Sequence, residues 1–372
     1  MSFATNPLSF LEHFSVLPDI RVRGMVTYPL NELLLSTLVG VVCGAEDWEE
    51  IALFSVEHLE WLKKFLPYSG GIASAQTFRA VFSRIDSDCF GQCFVSWVGS
   101  LVGHIKGVVA IDGKTLCGSK REASGSGALH VISAFAHEAG LVIGQRAVDS
   151  KSNEITAIPQ LLDSLALEGA IVTIDAMGTQ KNIAAKIIDK EADYILALKA
   201  NQGALYEDVR LFFEEKNKDV LWQYHDTTDG DHGRIEERFC TATEDIAWLK
   251  ERHAWHGLRS IMQIKARRTH KKTGKAEEET RYYISSLPPD ANHLMACARA
   301  HWSIENNLHW HLDVTFCEDD ARTRKDHAAL NLAIIRHTAL NMLKKCNVKL
   351  SVKKKQCKAA WNEIFREKVI TC

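Results

Sequence analysis

Two short apolar runs, VVAI (Val108 to Ile111) and IVTI (Ile171 to Ile174), each end in an aspartate followed by a small residue. Runs of four β-branched and small apolar residues read as strands buried on both faces, where an unpaired charge is costly. Asp112 and Asp175 are therefore expected at strand ends, with Gly113 easing a turn that presents the first acid. The two aspartates stand 63 residues apart. Two strand ends so alike argue against accident.

The periodicity on either side sets the frame. Up to about residue 100 apolar residues recur three and four apart, as in Phe78, Phe82, Ile85 and Phe94, Trp97, Val98, Leu101, predicting helices over Asp47 to Leu66 and Ser74 to Val102. From Gly107 the period changes. Strands are expected at 108–111, 129–136 and 141–148, then a helix from Thr156 with Pro159 in its first turn, a strand at 171–174, a helix over 180–190 and a strand at 194–198. About 85 residues of β-rich insertion follow, from about 201 to 286, and Pro288 and Pro289 close it. Helices are predicted over 291–311 and 327–345, and the chain ends in a basic, partly ordered tail over 346–372. The domains expected are thus 1–100, 101–345 and the tail.

At 372 residues and 46% apolar content the chain has ample material for sizeable cores. The stretch from Leu30 to Trp48 carries Glu32 and falls short of a membrane span, so it reads as a buried helix and no membrane association is expected. The ten cysteines lack CxxC spacing and read as reduced thiols of a cytoplasmic, nucleoid-associated protein. The net charge of −2 hides an uneven distribution. Residues 344–372 hold nine Lys and Arg against two Glu, and KARRTHKKTGK places six positive charges between Lys265 and Lys275. Such patches attract phosphate backbones, and solvated surface is their other reading.

A third acid lies after the insertion. In ARAHWSIENNLHWHLD, His301, Ile304, Glu305, Leu308 and Leu312 share one helical face. Asp112, Asp175 and Glu305 together would repel unless neutralised by hard divalent cations, Mg²⁺ or Mn²⁺, two ions suiting phosphoryl transfer on nucleic acid. His301, Glu305 and His309 lack the four ligands of structural zinc. Asp313, Glu318, Asp319 and Asp320 read as a solvated loop, Trp302 and Trp310 as packing residues, and Asn153 and Glu154 as a helix cap. Lys114, close behind the first aspartate, is a candidate phosphate contact.

The segments IDGKTL, KSNEITAIPQLL, IDAMGTQ, HGRIEER, RYYISS, HWSIENNLHWHLDVTFCEDD and NLAIIRHTALNML closely resemble the DDE transposases of bacterial insertion sequences that include the H-repeat-associated proteins. The resemblance spans about residues 10 to 345. It implies an α/β fold with a ribonuclease H-like core, interrupted by the β-rich insertion and preceded by an all-helical domain that binds DNA or dimerises. It implies Asp112, Asp175 and Glu305 as catalytic, metal-holding residues. The implied activity is metal-dependent cleavage at element ends and strand transfer into target DNA, with double-stranded DNA and a second copy of the chain, in a synaptic homodimer, as partners. Cys117 stands where relatives carry Arg. The wider Tyr, Arg, Glu, Lys pattern falls on Ala298, His301, Glu305 and Leu312, which leaves His301 as a polar phosphate contact. Lys353, Lys354 and Lys355 are the candidate DNA contacts of the tail. A DNA-binding remnant without chemistry, and a metal-dependent nuclease without strand transfer, remain as alternatives.

Overall fold

A computed structural model describes residues 9–120, 127–148, 153–230 and 233–371. Lys151, Ser152 and His232 of the motifs above lie outside them. The N-terminal helices are α1 (Ser9–Phe14), α2 (Leu30–Val42), α3 (Trp48–Glu57), α4 (Leu59–Leu62), α5 (Ala75–Phe82) and α6 (Ser87–Val102). Each of the two long helices expected here is two; the second is divided because a polar side chain starts a new helix, whereas α4 begins at His58 without a side-chain cap. Asp47, Ser74 and Asp86 accept hydrogen bonds from the backbone N–H groups of Glu50, Thr77 and Cys89, so Asp86 opens α6 after α5 has ended. Helix α2 is buried along nearly its whole length. Among the described residues no helix is long and apolar enough to cross a membrane.

The strands are β1 (Gly107–Leu116), β2 (Leu129–Ala136), β3 (Leu141–Val148), β4 (Ala170–Ile174), β5 (Asp193–Leu198), β6 (Gln223–Asp229), β7 (Arg234–Thr243), β8 (Ser260–His270) and β9 (Ala276–Ser285). They form one nine-stranded sheet in the order β3-β2-β1-β4-β5-β9-β8-β7-β6. Strands β1, β4 and β5 run parallel, joined through α7 (Glu154–Ser164) and α8 (Lys181–Asp189), and the other neighbours are antiparallel. Pro159 falls beyond the first turn of α7. The insertion also contributes α9 (Gly203–Glu215) and α10 (Ala247–His253). Its last strand, β9, pairs with β5, so the insertion extends the sheet.

Side-chain alternation assigns the two faces. Val109, Ile111, Val172 and Ile174 pack with α7, α8 and the N-terminal helices, while Val108, Ile171, Ile195 and Met262 pack with Leu294, Met295 and Ala298 of α11 (Ala291–Ala300). After α11 come a π-helical turn at Glu305–His309, α12 (Trp310–Val314) and α13 (Ala328–Lys345). Helix α13 is buried from Ala328 to Leu343 and packs on α2, α6 and β3, tying the N-terminal helices and the sheet into one core.

The C-terminal segment is ordered, contrary to expectation. It forms α14 (Val352–Trp361) and α15 (Glu363–Ile370), which bury Val352, Ala359, Phe365, Val369 and Ile370. Two of its cations are internal. The Lys355 ammonium donates to the carbonyls of Leu343 (2.8 Å) and Cys346 (2.7 Å), closing the end of α13. Arg366, 1% exposed, lies against the rings of Phe54 and Trp61 and donates to the carbonyls of Ala359 and Ala360.

Candidate active site

The separation of the two aspartates is the register of the sheet. Strand β1 pairs with β4 from Gly107 opposite Ala170 to Ile111 opposite Ile174, a constant offset of 63 residues. The next positions on the two chains are Asp112 and Asp175, so both acids stand where this parallel pair ends. The turn expected at Gly113 is absent. β1 continues against β2, with Asp112 opposite Ser133 and Gly113 opposite Ile132. Glycine is needed at 113 for another reason: a Cβ there would collide with the Glu154 carboxylate and the His130 ring. Those two groups are paired at 2.5 Å, and Thr115 Oγ1 holds the other ring nitrogen of His130 at 2.9 Å. Glu154 was expected to serve only as a cap; it opens α7 and pairs with His130, and Asn153 makes no side-chain cap bond.

Asp175 is fixed by its own turn, one carboxylate oxygen accepting from the N–H groups of Met177 (3.0 Å) and Gly178 (3.3 Å). Thr179 donates to the Ala197 carbonyl and Asn201 to that of Ala176, which anchors this turn to the end of β5.

The helix expected over 291–311 is interrupted. α11 stops at Ala300, His301 and Trp302 form a turn, and Glu305 begins the π-helical turn. Such turns insert one extra residue into a helix and recur at functional sites. Ile304 and Leu308 are fully buried while Glu305 is exposed, so the acid does not share the apolar stripe inferred from its spacing. Asp112, Asp175 and Glu305 line one cavity of about 270 Å³, together with His301, Trp302 and Arg281. In this arrangement no three His, Cys, Asp or Glu side chains among the described residues stand close enough to hold one ion. Another cavity, of about 380 Å³, lies among the N-terminal helices and has a single acid in its lining, Asp19, paired with Arg21.

Burial pushes the Asp112 carboxyl up to about 7; the Gly113 N–H opposes this, and the charges of Asp175, Glu154 and Glu305 add to it. Burial likewise lowers His301, whose Nδ1 lies 3.0 Å from Thr173 Oγ1, so it faces the cavity as a neutral ring. His309 is driven down to about 4 by burial, with Lys114 nearby adding to the effect.

Lys114 is committed elsewhere. Its ammonium meets Asp313 at 2.7 Å, Asp319 at 3.0 Å and Glu318 at 3.6 Å, and these acids outweigh the cost of burial and hold its pKa above the ordinary value. Glu318 is buried and also faces Arg336, so the acidic segment is a set of counter-ions where a solvated loop was expected. Trp302 and Trp310, read as packing residues, are 36% and 52% exposed, and the Arg281 guanidinium lies 4.5 Å from the Trp302 ring centre. Lys353 and Lys354 are exposed, whereas Lys355 is not. In the basic stretch before Lys275, Arg267 and Arg268 pair with Glu278 and Glu236, leaving exposed Lys271, Lys272 and Lys275 at the β8–β9 turn. Sequence reasoning missed Glu154, Lys199, Arg281 and His309 as site neighbours, since only tertiary pairing brings them near the aspartates.

Two carboxylates at adjacent strand ends and a third line one cavity, and the sequence comparisons give the family of the chain that carries them. Residues 103–342 match the family described as Transposase DDE domain, and residues 11–98 the one described as DDE_Tnp_1-associated. The chain belongs to the DDE transposase family. It is 42% identical to "Putative transposase YncI" of Escherichia coli O157:H7, over 97% of this chain and 94% of that one. It is 39% identical to "H repeat-associated putative transposase YhhI" of Escherichia coli K12, over 97% of each. The cryo-EM structure of a piggyBac transposase synaptic complex with hairpin DNA overlaps it at a TM-score of 0.36 and 10% identity, over 97% of this chain and 77% of that one, too low to carry the fold.

Proposed function

We propose that the chain has a ribonuclease H-like core in which Asp112, Asp175 and Glu305 are the catalytic triad, and that it cleaves double-stranded DNA at the inverted-repeat ends of its element and joins the freed 3′-hydroxyl to target DNA. The order and direction of β1 to β5, an antiparallel three-strand meander followed by two parallel strands, support the core assignment. The observation that carries the triad is the β1–β4 register, which ends one residue before Asp112 and Asp175, both in the lining of the cavity that Glu305 also lines.

The donor set fits a hard divalent cation. All three groups are carboxylates, and the Asp112 carboxyl, raised first by burial, is raised further by the charges of Asp175, Glu154 and Glu305. Two Mg²⁺ or Mn²⁺ ions would be held by Asp112 and Asp175 from fixed strand ends, with the exposed Glu305 side chain completing the set. The chemistry such ions supply when bound is activation of the attacking oxygen and stabilisation of the departing one. Within the chain, Asp175 is oriented by its two N–H donors, and Arg281 and Lys199 offer positive charge to phosphate at the cavity. His301, being neutral, contributes a polar contact only. Exposed Lys353 and Lys354 and the β8–β9 turn lysines supply sequence-independent DNA affinity. The assembly is a synaptic homodimer.

The test pairs two measurements on the same preparations. Glu305→Ala should shift a labelled terminal repeat in a gel as the wild type does, and should not cleave it with Mg²⁺ or Mn²⁺. Cleavage at the wild-type rate would remove Glu305 from the triad. A wild-type protein that binds ends without cutting would make this copy a remnant, and cutting without joined products would make it a nuclease.

A further inference from the structure

We propose that His309 is the positioning residue of this site, its imidazole holding the Asp112 carboxylate in the direction a cation requires. The inference rests on the assignment of Asp112 as a metal-holding acid. Among the described residues no Lys or Arg side chain lies within 4.0 Å of Asp112; the ring nitrogen Nδ1 of His309 does, 3.6 Å from Oδ2, with the two side chains 14% and 23% exposed.

The ring is placed by the same backbone feature that places Glu305. These residues are the first and last of the π-helical turn, so one local register sends the acid to the cavity and the imidazole to β1. The turn is pinned from both sides. Ile304 and Leu308 are fully buried, and the Lys344 ammonium, lying over the Phe135 ring, donates to the Asn307 carbonyl at 2.7 Å.

The chemistry of the ring settles which way it serves. A ring lone pair set against the lone pair of an ionised carboxylate repels, whereas an N–H there donates, so Nδ1 carries the hydrogen in the ionised form of Asp112 that binds a cation. Among the described residues Nε2 is buried without a hydrogen-bond partner, so none of them competes for the ring from its other side. The separation of 3.6 Å is longer than a formed hydrogen bond, and contacts of this kind tighten when the site is completed. A carboxylate with one oxygen engaged by such a donor presents the other in a fixed direction, which is how outer groups raise metal affinity. His309 is thus a neighbour that orients a ligand, and a direct ligand role for its nitrogen is a distinguishable outcome.

The experiment uses the full chain and Mn²⁺ alone. Free ion is followed by electron paramagnetic resonance during titration of wild type, His309→Leu, His309→Asn and Asp112→Asn, with circular dichroism and thermal midpoints on each. The amide Nδ2 of asparagine stands near the position of Nδ1 and can donate to Asp112, whereas leucine only fills space. His309→Leu should weaken Mn²⁺ binding roughly tenfold or more, and His309→Asn should stay within about threefold of wild type. Wild-type affinity in a folded His309→Leu, with Asp112→Asn defective, overturns the positioning role and leaves the triad standing. Equal losses in Leu and Asn variants overturn it in favour of direct ligation. Should His309→Leu fail to fold, retention by His309→Asn against loss in a folded His309→Gln, whose amide sits at the Nε2 position, carries the same decision. Wild-type binding by Asp112→Asn overturns the triad and this inference together.

Discussion

Asp112 makes the metal-free protein less stable as pH rises, and Asp112→Asn should remove that dependence. The carboxyl is pushed from an ordinary 3.8 up to about 7, so between those values the folded chain keeps a proton that the unfolded chain releases. The stability this group contributes is complete below about pH 4 and is lost as pH rises through about 7. A displacement of about 3 units corresponds to about 4 kcal/mol, of which roughly 3 kcal/mol falls between pH 5 and pH 8. Asparagine has the same size and does not titrate. Urea unfolding with a chelator present, at pH 5 and pH 8, should show the wild type losing roughly 3 kcal/mol more than the variant across that interval. Mn²⁺ at about a hundred times its dissociation constant should restore about 2.7 kcal/mol to the wild type at pH 8 and little to the variant. Parallel pH dependences for the two proteins would refute the reasoning, because the burial of Asp112 beside Asp175, Glu154 and Glu305 would then have no energetic consequence.

Asn341 is fully buried and its amide both accepts from the Val142 N–H (2.9 Å) and donates to the Val142 carbonyl (2.8 Å), so Asn341→Leu should cost about 2 to 5 kcal/mol by leaving two buried backbone groups unpaired. A loss under about 1 kcal/mol by urea unfolding would show that water replaces the amide. Gly113→Ala should destabilise by about 1 to 3 kcal/mol through its collision with Glu154 and His130, and His130→Ala in the same chain should recover part of that loss in thermal unfolding. Neutralising Lys353 and Lys354 should shallow the salt dependence of DNA binding, whereas Lys355→Met should lower the thermal midpoint and leave the salt slope unchanged. A shallower slope in Lys355→Met would place that ammonium on DNA after all.

How much of this could be read from the chain depends on whether the cause was local. VVAI and IVTI signalled buried strands because every residue of both is buried, and the strand order through β5 followed from alternation and turn residues. The 63-residue interval was visible as well, though its meaning as a register required the pairing itself. The tail was misread because counting lysines treats them as surface. Lys355 and Arg366 instead direct their heads to carbonyls at helix ends, and the apolar spacing of Val352, Ala359, Phe365 and Val369 was the signal available. The break at His301 and the π-helical turn carry no decisive local signature: Ser303, Asn306 and Asn307 are only weak helix formers, and Ile304 and Leu308 are buried in the register observed. His309 beside Asp112 inherits that opacity.

The pairing of β9 with β5 has a mechanical consequence. With that ladder in place the aspartate-bearing strands and the insertion hairpins are a single hydrogen-bonded plate, and the inserted segment is locked to the floor of the cleft. The wall facing that floor is tied to it as well, Asp313 of α12 meeting Lys114 of β1 at 2.7 Å and the π-helical turn being held by buried Ile304 and Leu308. Floor and wall therefore share one rigid frame, and what can turn within it is the exposed Glu305 side chain. Spin labels on β8, β4 and α12 should keep their mutual separations when DNA is added.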